Sequence, residues 1–145
     1  MGLTIIGCGF VGMAVARQLQ SRRPLLPVTL TTTRQERCAE LSRLSDRVLV
    51  CDASDPIQLM RALQNSRTAV FCHGPSGNSQ VNADRYRQTF VESFTSLKSV
   101  LSDLPELQQI IYTGSCSVYG DANGGWVDES TAPDPGPGHG GVLLE

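Results

Sequence analysis

Short apolar runs alternate with stretches of helical spacing along the whole chain. Leu3 to Ile6 is an apolar run that ends on Gly7. Val11, Ala14, Val15 and Leu19 then recur at the spacing of one helix face, with Pro24 and Pro27 beyond the helix end. Val28 to Thr33 is rich in β-branched residues and reads as a second strand. Gln35 to Leu44 has a helical composition, and Val48 to Cys51 reads as a third strand. Asp55-Pro56 marks a helix start, with Asp at the N-cap and proline at the first helical position, and this helix is expected to reach about Gln64. Ala69 to Cys72 gives a fourth strand and Gly74 to Gly77 a loop. A long helix from about Asn82 to Leu101 carries Tyr86, Phe90, Phe94, Leu97 and Leu101 on its apolar face. Gln109 to Thr113 gives a fifth strand.

Strands that alternate with helices imply βαβ units, a parallel sheet covered on both faces, and right-handed crossovers. The expected fold class is therefore α/β, a doubly wound parallel sheet of about five strands in the order 3-2-1-4-5. A ligand then belongs at the carboxyl ends of strands 1 and 4, where the order reverses. Gly120 to Glu145 holds seven of the fourteen glycines and three of the eight prolines. Residues 1–120 are thus expected to form the folded domain, and residues 121–145 a Gly/Pro-rich loop with a helix starting at Val142.

Composition narrows the partners. The 145 residues make about one domain. With 12 Lys+Arg against 14 Asp+Glu, the formal charge is −2, so no net basic field exists to hold nucleic acid or an anionic membrane. Lys98 is the sole lysine, so any chemistry that needs one has a single candidate. The five cysteines, Cys8, Cys38, Cys51, Cys72 and Cys116, include no CxxC pair and read as reduced, mostly buried thiols of a cytoplasmic protein. No apolar run approaches the roughly 20 residues of a membrane span, and the N-terminus lacks a signal-peptide pattern. Two histidines and scattered cysteines give no metal-ligand spacing.

The candidate chemistry begins at Gly7-Cys8-Gly9-Phe10-Val11-Gly12, a GxGxxG that follows a strand and opens a helix. In that context Gly7 permits the tight turn, Gly9 lets backbone approach a pyrophosphate, and Gly12 allows close helix–strand packing. Phe10 and Val11 start the helix whose free N–H groups face the phosphates. The expectation is a Rossmann-type dinucleotide site. At the end of strand 2 stand Thr31-Thr32-Thr33-Arg34, with no acid before Glu36. A carboxylate there would accept from a ribose 2′-OH, whereas Arg34 can fork a 2′-phosphate with Thr33 donating a hydroxyl. NADP is therefore expected ahead of NAD, with Arg37 a weaker second candidate. Asp52-Ala53 closes strand 3, where Asp52 either contacts adenine or, like Asp55, caps the next helix. His73-Gly74 closes strand 4 and should line the cofactor.

The fifth strand runs into Tyr112-Thr113-Gly114-Ser115-Cys116-Ser117-Val118-Tyr119-Gly120, followed by Val127-Asp128-Glu129-Ser130-Thr131-Ala132-Pro133. With the glycine turn, this resembles the extended short-chain dehydrogenase/reductase superfamily, in particular its NAD-dependent epimerase/dehydratase proteins, across essentially the whole chain. The resemblance implies that Ser115 is the active-site serine that hydrogen-bonds a substrate carbonyl or hydroxyl. It implies a structural role for Tyr119 and an adenine contact for Asp52. The Tyr-x-x-x-Lys pair of these enzymes is absent, as in atypical members of the superfamily, and Gly138 to Glu145 stands where it should fall. Family members continue through strands 6 and 7 and a substrate domain, so the chain reads as the truncated cofactor half. Strand 5 would then be an exposed edge, open to pairing with a second copy. The implied activity is hydride transfer on a sugar nucleotide or similar hydroxylated small molecule. The competing reading is a non-catalytic NADP-binding sensor or interaction module.

Overall fold

The computed structural model describes residues 2–75, 82–136 and 138–145. The expected loop residues Ser76 and Gly77 lie outside them. Five strands, β1 (Gly2–Ile6), β2 (Val28–Thr32), β3 (Arg47–Val50), β4 (Ser66–Phe71) and β5 (Gln109–Tyr112), form one parallel sheet in the order β3-β2-β1-β4-β5. This is the doubly wound Rossmann-type arrangement that the strand–helix alternation implies.

Alternation along β1 decides which layer each residue joins. Ile5 faces one side with Ala16, Leu30 and Leu41, beneath α1 (Phe10–Arg22) and α2 (Cys38–Leu41). Ile6 faces the other with Leu59, Leu63, Phe71, Leu97 and Val100, beneath α3 (Pro56–Leu63) and α5 (Ser93–Val100). Ile5, Ile6, Leu30, Leu59 and Phe71 are essentially inaccessible, and each such side chain contributes roughly 1.5–3 kcal/mol relative to exposure. Thr4 is also fully buried on β1, where its hydroxyl donates to the Ala62 carbonyl and pairs with Ser66 Oγ, so no buried polar atom is stranded there.

Two elements depart from the expected pattern. The segment after β2 is shorter than Gln35 to Leu44: a 3-10 turn over Gln35–Arg37 precedes a single α-helical turn, Cys38–Leu41. The long helix exists, but its middle widens into a π-helical stretch, Arg87–Glu92, between α4 (Ala83–Tyr86) and α5. Leu97 beyond it is still buried, but α5 ends at Val100 and a 3-10 turn, Leu101–Asp103, begins, so Val100 is buried and Leu101 is exposed. Strict 3.6-residue counting from Tyr86 had placed Leu101 inside.

β5 forms one edge of the sheet, with Ile110, Ile111 and Tyr112 each about two-fifths exposed. Beyond it, 3-10 turns at Cys116–Tyr119 and His139–Leu144 flank an otherwise irregular segment. The second begins at His139 rather than Val142. It packs on the long helix through Tyr86 against the His139 ring, 4.3 Å between centroids, and an ion pair from Arg87 to Glu145.

Candidate dinucleotide site

The glycine turn is held from a neighbouring strand. Gly7 has φ +83°, a conformation that side-chain-bearing residues rarely adopt. Its N–H donates to Thr31 Oγ1 at 2.9 Å, the same hydroxyl donates to the Ile5 carbonyl at 3.1 Å, and Cys8 N–H donates to the Thr31 carbonyl at 2.8 Å. Thr31 is fully buried and acts as the clamp that fixes the turn. Sequence reasoning took Thr31 only as a strand residue, because the contact spans 24 positions and carries no local signal.

The three glycines are needed for different reasons. A Cβ on Gly7 would lie 2.5 Å from His73 Cβ, and one on Gly12 would lie 2.7 Å from the Gly7 carbonyl and 3.1 Å from Ile5 Cγ2. A Cβ on Gly9 would meet nothing within 4 Å. Gly7 and Gly12 are thus demanded by the fold, whereas Gly9 opens onto solvent beside Phe10, which is 94% exposed.

A cleft of about 560 Å³ lies over this turn at the carboxyl ends of the strands, within the range of small-molecule and cofactor sites. Gly7, Gly9, Phe10, Val11, Thr33, Arg34, Asp52, Ala53, His73 and Gly74 all line it, while Gly12 lies beneath, at the helix–strand contact. The cleft is also lined by Cys8, Arg37, Cys51 and Cys72, and by Arg85, Gln88 and Thr89 from the long helix. These three helix residues were not expected, because only the tertiary fold turns that face toward the glycines.

The two arginines after β2 differ in commitment. Arg37 donates to Glu40 at 3.1 Å, to Met13 Sδ at 2.9 Å and to the Cys8 carbonyl, with only 16% of its side chain exposed. It braces the turn against α2. Arg34 stands at the mouth with 59% of its side chain exposed and its Nε 3.9 Å from Glu36, which is a weak surface pairing.

The aspartates also separate. Asp55 caps α3, its carboxylate accepting from Ile57 N, Gln58 N and Gln58 Nε2. Those bonds, chiefly from Gln58, hold its carboxyl below the usual range. Asp52 instead accepts from Ser54 N and Oγ at the cleft wall.

His73 anchors the opposite wall. Its Nε2 lies 2.8 Å from the Thr89 carbonyl and 3.0 Å from Ser93 Oγ. A carbonyl only accepts, so Nε2 carries the hydrogen and Nδ1 is a bare acceptor. Nδ1 is buried with no partner among the described residues. Burial pushes the imidazole pKa down, partly opposed by the Thr89 bond and the Asp52 charge. The ring packs edge-on to Phe71 and tilted on Phe90, so His73 ties β4 to the π-helical stretch. Burial also raises the Cys8 thiol to about 11 and the Cys51 thiol to about 12.

Ser115 does not line this cleft. It borders a second cavity of about 470 Å³ with Phe90, Phe94, Tyr112 and Lys98. Its hydroxyl accepts from Ser117 N at 3.3 Å and pairs with Ser117 Oγ at 2.9 Å, capping the turn that follows β5. Among the described residues no three His, Cys, Asp or Glu side chains cluster to hold a metal, and no helix is long and apolar enough to cross a membrane.

A strand-to-helix glycine turn at the switch point of a 3-2-1-4-5 sheet, facing a cleft, defines a dinucleotide-binding domain. Residues 3–83 match the TrkA-N domain, and the chain belongs to that family of NAD(P)-binding Rossmann domains. It is 31% identical over 149 residues to Protein YeeZ of Escherichia coli (strain K12), a match covering 99% of this chain and 50% of that protein. It is 27% identical over 143 residues to D-erythronate dehydrogenase of Cupriavidus necator, covering 92% and 44% respectively. The chain therefore spans about half the length of the curated relatives it matches. Among solved structures, a short-chain dehydrogenase/reductase superfamily protein from Agrobacterium tumefaciens with bound NAD superposes with a TM-score of 0.78 at 18% identity, over 99% of this chain and 42% of that one. Solved epimerases and a dehydratase share the fold. The resemblance to the epimerase/dehydratase type of short-chain dehydrogenase/reductase is borne out at the level of the fold.

Proposed function

We propose that the chain is the cofactor half of an NADP-preferring oxidoreductase or epimerase acting on a small hydroxylated substrate. The observation that carries the reading is Arg34, exposed at the mouth of the cleft where β2 ends, with no acidic residue between the glycine turn and Glu36. Its guanidinium forks a 2′-phosphate, and Thr33 beside it supplies a hydroxyl. Gly9 leaves the backbone bare for the pyrophosphate, and the N–H groups at the start of the 13-residue α1 face it. Asp52 and Ala53 wall the adenine side. The nicotinamide, when bound, donates or accepts hydride. The chain's own residues bind and orient, and Ser115 holds a substrate oxygen from the β5 side. The name of the dehydrogenase relative, with its hydroxy-acid substrate, supports a hydroxylated substrate.

Calorimetric titration with NADPH and NADH tests the preference. A charge-assisted fork contributes about 1.5–3 kcal/mol, so Arg34→Ala should weaken NADPH roughly ten- to a hundredfold and leave NADH unchanged. Equal affinity for the two cofactors in the wild-type chain would overturn the NADP preference.

A further inference from the structure

We infer that the second cavity, at the end of β5, binds a small carboxylic acid with an apolar chain, the acid group held by Lys98 and the chain by an aromatic wall. The assignment goes beyond the cofactor reading and does not depend on it, because this cavity lies outside the dinucleotide cleft. The long helix is the partition between the two. Gln88 and Thr89 line the cleft, whereas Phe90, Phe94 and Lys98, at i, i+4 and i+8, line the cavity.

Three walls enclose the cavity. The Phe90 and Phe94 rings of the helix stand edge-on to Tyr112 of β5, with centroids 6.2 and 5.0 Å from its own. The third wall is the turn His139–Leu144, whose Val142 is buried. That turn is fixed in place. His139 packs on Tyr86, Glu145 accepts from Arg87 Nε at 2.9 Å, and a Cβ on Gly140 would collide with the Ser117 carbonyl. A volume of about 470 Å³ between such walls suits a small molecule with an apolar body that is oriented by a few polar groups.

Those polar groups select the charge of the occupant. Lys98 is the sole lysine of the chain and has no ion pair or hydrogen bond among the described residues. The one carboxylate in the walls, Glu145, is already paired with Arg87. The Tyr112 hydroxyl likewise has no hydrogen-bond partner among the described residues. Burial and the nearby Tyr86 push its pKa up, so it stays a donor. An uncommitted ammonium and an uncommitted phenol call for an anion. A single cation close to a carboxylate matches the one negative charge of an acid better than the two of a phosphate. The aromatic rings match a hydrocarbon chain.

Calorimetric titration of the wild-type chain with octanoate, octanol and butanoate tests this, with Lys98→Met, Lys98→Arg and Gly114→Leu each titrated in the same way and melted. Octanoate should bind the wild type roughly three- to tenfold more tightly than octanol. Each buried methylene changes affinity about three- to fourfold, so butanoate should bind at least roughly tenfold more weakly than octanoate. Lys98→Met should erase the difference between octanoate and octanol and leave the melting temperature unchanged, because Lys98 is exposed. Lys98→Arg should keep the difference. A Cβ on Gly114 meets only the Tyr112 ring, at 3.4 Å, so Gly114→Leu should fold, fill the cavity and lose octanoate binding. Octanoate that binds no better than octanol, that ignores Lys98→Met, or that binds Gly114→Leu as it binds the wild type overturns the inference. A wild-type chain that binds NADPH but not octanoate overturns it and leaves the cofactor reading standing.

Discussion

The three glycines of the β1–α1 turn should respond to alanine in two distinct ways. Gly7→Ala puts a methyl carbon 2.5 Å from His73 Cβ, 2.6 Å from its Cα and 2.8 Å from its N, at φ +83°. The left-handed backbone alone costs about 1–2 kcal/mol, and the clash is with strand-end backbone that cannot swing aside. A total of at least about 2–3 kcal/mol corresponds to a fall in Tm of roughly 5–10 °C at this chain length. Gly9→Ala meets no atom within 4 Å, and its φ of −78° is negative, although its ψ of −148° lies just outside the β region. Its cost is that small backbone shift and the weaker capping of alanine, about 1 kcal/mol and without a clash. Yet its methyl stands where the pyrophosphate must approach, so NADPH affinity should fall at least tenfold. Differential scanning calorimetry reads the first effect and isothermal titration the second. A Gly9→Ala protein that melts as low as Gly7→Ala, or that binds NADPH as the wild type does, would refute the assignment of Gly9 to the ligand.

Two further outcomes follow from burial. The imidazole of His73 is neutral in both states above about pH 6.5. Below that, the unfolded chain takes up the proton first, because burial lowers the pKa in the fold. Stability should therefore drop as pH falls below about 6.5 and level off once the folded ring protonates, and chemical denaturation of wild type and His73→Asn across pH 5–7.5 should show the slope in the wild type only. Cys8 and Cys51, buried and raised to about 11 and 12, should resist an aromatic disulfide reagent at pH 8 until the protein is denatured, whereas the exposed Cys116 should react at once; fast modification of all five thiols in the native protein would contradict the burial.

Much of this protein was written locally in the chain. The strand order follows from the alternation of β-branched runs with helical spacing, since parallel strands need crossovers and crossovers have one hand. The glycine turn is legible because backbone conformation and close approach both exclude a Cβ, and only glycine lacks one. Asp55-Pro56 announced the start of α3, because an N-cap and a missing N–H are local requirements. Tertiary structure alone decided the rest. It made Thr31 the clamp of the turn, separated the capping Asp55 from the cleft-lining Asp52, and committed Arg37 to the fold while leaving Arg34 exposed. It also widened the middle of the long helix into a π stretch beside His73, ended that helix at Val100 so that Leu101 is exposed, and placed Arg85, Gln88 and Thr89 along the cleft. Each of these depends on contacts between residues far apart in sequence. Local propensity and periodicity fix which residues can meet a neighbour; only the packed sheet fixes which neighbour they meet.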